Sequence, residues 1–114
     1  MPAHLEVSAL LRQVQAEGGF ATVIARGERE AGTLMVVITE PLKDRFGRTS
    51  RAYERMPQAD GTRSWTLSRT DSAEEPGAFA EWVDRRHQQD PDLWIIELDI
   101  PEGERFIGMT GSPG

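Results

Sequence analysis

Two carboxylates near the end of the chain, Glu97 and Asp99, stand two residues apart and so project from one face of an extended segment. Set in a cleft, such a pair could carry acid–base chemistry and make the protein a small enzyme. The plainer reading is preferred: the two are the polar face of a half-buried strand whose other face is Trp94, Ile96, Leu98 and Ile100. Arginines on neighbouring strands, Arg51, Arg55, Arg63 or Arg69, would then stand across from them as ladder partners.

A second group with chemical potential is Asp84, His87, Asp90 and Asp92. Asp84 and His87 fall three apart on a helix and are near neighbours there. A metal site normally needs three or four converging ligands, and neither a paired-histidine spacing nor a calcium-loop pattern is present, so no metal is expected. His87 reads as a solvent-facing helix terminus and His4 as part of a loose N-terminus. No Gly-x-Ser-x-Gly elbow occurs. Gly18-Gly19 follows a helix and Gly27 to Gly32 bounds a loop, so neither is a strand–glycine–helix phosphate cradle. No cofactor is expected.

The third group is basic. Lys43, Arg45, Arg48 and Arg51 lie within nine residues, with Asp44 opposing them and Phe46 among them. Cations around an aromatic can grip single-stranded nucleic acid or another anion. The preferred reading is a solvated loop whose Phe46 tucks under the sheet. Its four charges would be removable without harm to the fold.

The elements that must hold these groups follow from periodicity. Val7, Leu10, Leu11 and Val14 repeat at helical spacing, and Gly18-Gly19 ends a helix over 5–17. Residues 20–25 are β-branched and form a strand. Residues 34–39 are almost continuously apolar, the mark of a strand covered on both faces. The glycine-bounded loop 27–32 between them reads as a hairpin. Residues 51–56 and 63–69 alternate, with Asp60-Gly61 as the turn, and predict a second hairpin with Trp65 and Leu67 inward.

Pro76 suits the first turn of a second helix, whose stripe is Phe79, Trp82, Val83 and Arg86 and which Asp90-Pro91 stops. Residues 93–100 are the clearest strand. Trp82 and Trp94 are expected in one core. The resulting order, α-β-β-β-β-α-β, implies a mostly antiparallel five-stranded α+β domain over 1–107, with both helices on one face. Residues 108–114, rich in Gly, Ser and Pro, read as a flexible tail.

Three stretches resemble a known family: Val7-Ser8-Ala9-Leu10-Leu11-Arg12; Gly19-Phe20-Ala21-Thr22-Val23-Ile24-Ala25-Arg26-Gly27 with Ala31-Gly32 following; and Asp90-Pro91-Asp92-Leu93-Trp94-Ile95-Ile96-Glu97. In order and spacing they are similar to a family of short bacterial proteins of unknown function, and the likeness spans nearly the whole chain. Residues 40–50 depart from it, being longer and more basic than the turn expected there. The resemblance implies a stand-alone domain and transfers no catalytic or binding residue.

Composition narrows the functional classes. The 114 residues fit one domain. The absence of cysteine excludes disulfides, thiolate metal sites and cysteine nucleophiles, and favours a cytoplasmic location. No signal peptide and no membrane-spanning run is legible. A net charge of −6 opposes nucleic acid and anionic membranes, although twelve of the thirteen cations are arginine, which suits carboxylate pairing. The expectation is therefore a non-enzymatic protein that works through a protein partner or its own dimer at a sheet edge. Nucleic-acid or nucleotide binding by 43–51 is the alternative, and a Glu97/Asp99 enzyme a remote one.

Overall fold

The computed structural model describes residues 2–43, 46–57, 59–61 and 63–108. Its elements are α1 (Ala3–Ala16), β1 (Phe20–Ala25), β2 (Leu34–Pro41), β3 (Arg48–Pro57), β4 (Arg63–Thr70), α2 (Ala78–Gln89), β5 (Trp94–Asp99) and a 3-10 turn, η1 (Gly103–Ile107). The order is the expected one, and the five strands form a single sheet in the order β1-β5-β2-β3-β4. Most pairs are antiparallel; β2 and β5 run parallel.

This order corrects the first hairpin. β1 and β2 do not pair, because β5 lies between them. The loop 27–32 instead wraps the start of β5. The Glu28 amide donates to the Asp92 carbonyl at 3.0 Å, and the Trp94 indole N–H donates to the Glu28 carbonyl at 2.7 Å. Gly27 is required there, since a Cβ on it would stand 2.2 Å from the Asp92 carbonyl oxygen. The second expected hairpin is present: β3 and β4 pair antiparallel, with a register shift between Ala52 and Tyr53.

The helices lie on opposite faces of the sheet, not on one. Leu34, Val36 and Ile38 of β2 join Val7, Leu10 and Val14 of α1 in one core, together with Trp94, Ile96 and Leu98. Met35 and Val37, the alternate residues of β2, join Val83 of α2 and Ile95 in a second core, against which Phe79 and Trp82 pack. A strand apolar at successive positions has two faces to bury, and one helix layer covers only one of them. Trp82 and Trp94 therefore belong to different cores, and Trp82 is only half-buried.

α1 begins two residues earlier than expected. Arg29 and Glu30 present their carbonyls to its first amides, His4 at 3.0 Å and Ala3 at 3.2 Å, and satisfy donors that no side chain caps. His4 is thus docked, with its Nδ1 3.0 Å from the Arg29 carbonyl oxygen. The helix ends in a Schellman motif: the Gly18 and Gly19 amides return to the Gln15 and Val14 carbonyls, with Gly18 at φ +88°. α2 begins at Ala78, after Pro76, because Gly77 at φ +82° is left-handed and cannot join the helix. Leu67 faces the α1 side with Tyr53, but it stands on the edge strand beyond the reach of α1 and is exposed.

Candidate functional site

The two cores differ in how completely they close. On the α1 face, Tyr53, Arg51 and Glu104 form a tight network. The Glu104 carboxylate accepts from Tyr53 Oη at 2.7 Å and from Arg51 Nε at 2.6 Å, and Arg51 also reaches Glu40 at 3.3 Å. Burial alone would raise the Glu104 carboxyl, but the donors from Arg51 and Tyr53 outweigh it and hold the group below its ordinary value. Tyr53 is raised, first by burial and then by its bond to the charged Glu104; Arg51 is raised mainly by its bond to Glu104. Beside this network Arg55 grips Glu6 of α1 through its two terminal guanidinium nitrogens, its buried Nε being left without a partner, and lies 5.3 Å over the Trp65 ring. Every charge here is held, so the arrangement does structural work.

Sequence reasoning did not single out Glu104, because one glutamate among charged neighbours in a Gly-containing segment has no period to mark it. The alternation Arg51-Tyr53-Arg55 was the available signal: three polar-headed side chains on a face that must meet a helix.

On the other face, α2 leans over β3 and β4. Arg86 pairs with Glu54 of β3, and Arg69 of β4 lies 5.9 Å over the Trp82 ring. The other flank of the helix leaves a cleft of about 500 Å³ over β5 and β1. Its floor is Val37 and Ile95, its helical wall Phe79 and Val83, and Ile24 of β1 stands at its border. Four titratable groups line it: Asp71, Asp84, His87 and Glu97, with no arginine or lysine among the described lining residues. Glu97 Oε2 accepts from Thr39 Oγ1 at 3.2 Å, and that hydroxyl is 2.9 Å from Ser50 Oγ, so one carboxylate oxygen of this cleft-lining residue is anchored. The volume is that of a ligand-sized site, with an apolar floor and a few polar groups.

The candidate residues are distributed as follows. Glu97 lines the cleft, whereas Asp99 pairs with Arg48 at the end of the sheet, so the two carboxylates do not converge on one point. Of the expected ladder arginines, the three whose side chains are described do not meet them. Arg51 and Arg55 face the α1 side, Arg69 covers Trp82, and the Arg63 side chain lies outside the described residues. Asp84 and His87 both line the cleft, while Asp90 caps the next turn by accepting from the Asp92 amide at 3.2 Å. Among the described residues no group of three or more His, Asp or Glu is placed to hold a metal ion.

The basic set does not form a single patch. Arg48 and Arg51 belong to strand β3 and pair with carboxylates on different faces, Lys43 is exposed in the β2–β3 turn, and Arg45 lies outside the described residues. Arg51 is accordingly not a dispensable loop charge. Phe46 is fully exposed and does not tuck under the sheet.

Edge strands complete the comparison of surfaces. β4, among its described side chains, carries the charged Arg69, whose guanidinium lies over Trp82, and a charge on an edge strand opposes pairing with another strand. β1, the opposite edge, has no charged residue among its six, and its Phe20 and Ile24 side chains are 74% and 47% exposed.

No helix among the described residues is long and apolar enough to cross a membrane. Solved structures with this architecture are at hand. A crystal structure of a DUF1491 family protein from Caulobacter crescentus CB15 is similar at 26% identity and a TM-score of 0.73, covering 97% of this chain and 96% of that one. An NMR structure of a DUF1491 family protein from the same organism aligns at 27% identity and 0.73, over 93% and 91% of the two chains. The solution structure of Atu0922 from A. tumefaciens aligns at 26% identity and 0.67, over 97% and 95%. No curated protein matches the chain. The resemblance read from the three sequence stretches is borne out: with residues 1–108 matching it, the chain belongs to the DUF1491 family, a family of unknown function.

Proposed function

We propose that this protein is a non-catalytic binding domain, a single domain over 1–107, that takes up an extended segment of a protein partner on the open edge of β1. The observation that carries the reading is the contrast between the two edges. β4 carries the charged Arg69 and is partly covered by α2 through it, whereas β1 is uncharged, displays Phe20 and Ile24, and borders an open apolar cleft. An unguarded edge strand satisfies its outward N–H and C=O groups by pairing with another strand, and adjoining pockets give that pairing its selectivity. The lack of cysteine fits work in a reducing compartment such as the cytoplasm.

The other readings draw less support. An enzyme using Glu97 and Asp99 would need both in one cleft, and Asp99 is engaged by Arg48. An anion or nucleic-acid site at Lys43, Arg45, Arg48 and Arg51 would need cations free to leave their carboxylates, and Arg51 is committed to Glu104 and Glu40. The test is amide hydrogen exchange during titration with short strand-forming peptides. The β1 amides should gain protection while β4 amides do not; protection at β4 alone would overturn the reading.

A further inference from the structure

We infer that the captured strand carries a lysine or arginine opposite Thr22, and that its cation is received by Glu97. This inference rests on strand addition at β1 and names the chemistry of the partner. Thr22 pairs with Glu97 across the β1–β5 ladder, so both side chains project from the α2 face. A strand added outside β1 would set its own residue next to Thr22 on that face, two strand spacings, about 10 Å, from the backbone of Glu97. A long basic side chain and the glutamate together cover that span.

The route is open, since Thr22 is small and exposed and stands between exposed Phe20 and Ile24. These two form apolar banks along which an aliphatic stem can lie while its charged head reaches inward. At the inner end Glu97 is fixed by Thr39, Asp84 and Asp71 add negative charge, and no arginine or lysine among the described lining residues competes. An acidic partner residue would meet only repulsion there, and an apolar one would leave the carboxylates unanswered. A second copy of this chain is a poorer occupant, because its nearest basic residue, Arg26, lies past the last residue of β1 rather than within the strand, and each copy bears a net charge of −6.

The experiment uses the whole chain and three capped heptapeptides of alternating valine and threonine that differ only at the centre: lysine, norleucine or glutamate. Binding is followed by the shifts and exchange protection of the β1 amides. The lysine peptide is expected to bind at least tenfold more tightly than the glutamate peptide, and Glu97→Gln, whose amide oxygen can still accept from Thr39, should erase that preference without abolishing strand binding. Equal protection of β1 by all three peptides would overturn the basic-residue inference and leave strand addition standing. Failure of every peptide to protect β1 would overturn both. Concentration-dependent protection of β1 without peptide would assign the edge to a second copy and overturn the hetero-partner inference.

Discussion

The two faces of the sheet are built to different standards. The α1 face is the more nearly closed: its helix, the strands and η1 bury a continuous apolar cluster and leave an opening of about 200 Å³ beside Leu10, Trp65 and Phe106, and at its margin Glu104 joins Tyr53 and Arg51 while Glu6 holds Arg55, whose buried Nε has no partner. The α2 face is half closed, with its helix fixed to β3 and β4 and a cleft left over β5 and β1. A core that packs to the density of a crystal tolerates little change, whereas a face that keeps ligand-sized space open can lose side chains at low cost.

The sharpest way to break this comparison is to hollow out each face in turn. Trp94, 4% exposed and holding the 27–32 loop through its indole, should cost about 3–5 kcal/mol on replacement by alanine. Trp82 on the open face should cost only about 1–2 kcal/mol. Chemical denaturation of the two variants measures both, and equal losses would mean that the faces are equally packed.

Glu104→Ala comes next. It leaves Arg51 and Tyr53 without their shared acceptor in a largely dry site and should cost about 3 kcal/mol, with Glu104→Gln losing less. The same group sets an acid limb. The folded value of Glu104 lies below its ordinary 4.5, so its contribution is fully present above that pH and drains away as the pH falls below it. Tyr53, raised above its ordinary 10.0, contributes stability at neutral pH that is lost as the pH climbs beyond that value. Denaturation midpoints followed across pH in the wild type and in Glu104→Gln should differ in the acid limb; identical acid limbs would remove Glu104 from that role.

The smallest effect sharpens the boundary of the closed face. Glu102 enters η1 at φ +55°, in a left-handed conformation unfavourable for a side chain, and its amide donates to Glu40 at 2.9 Å. Glu102→Gly keeps that amide and relieves the strain, and should raise stability by up to about 1 kcal/mol in thermal unfolding.

What the sequence made legible was periodicity. The four alternate residues Trp94, Ile96, Leu98 and Ile100 do share one core, and the α1 stripe does lie on it. Phe79, Trp82 and Val83 do form the packing side of α2. Neighbour relations were not legible, because alternation fixes which face a side chain takes and says nothing about which strand lies beside it. The insertion of β5 between β1 and β2 therefore escaped, although the two-faced apolar run of β2 already argued against both helices sharing one side.

The site was legible in part. Glu97, Asp84 and His87 are each legible as candidates and do line one cleft, but nothing in the sequence joins them, since only the fold brings Glu97 onto one opening with Asp84 and His87, 13 and 10 residues before it. The arginine excess points to ion pairing, and Arg48, Arg51, Arg55, Arg86 and Arg105 each hold a carboxylate. What local charge density could not convey was that Arg48 and Arg51 point to opposite faces.

The central claim is that the β1 edge serves binding and contributes little to the fold. One double variant, Phe20→Asp with Ile24→Asp, tests it most directly when its unfolding free energy and its peptide-induced protection of β1 are measured on the same sample. The expected result is a stability within roughly 1 kcal/mol of the wild type, as for surface changes, together with loss of the protection. A loss of roughly 3 kcal/mol or more would make the edge part of the core, and undiminished protection would place the partner elsewhere; either result contradicts the account.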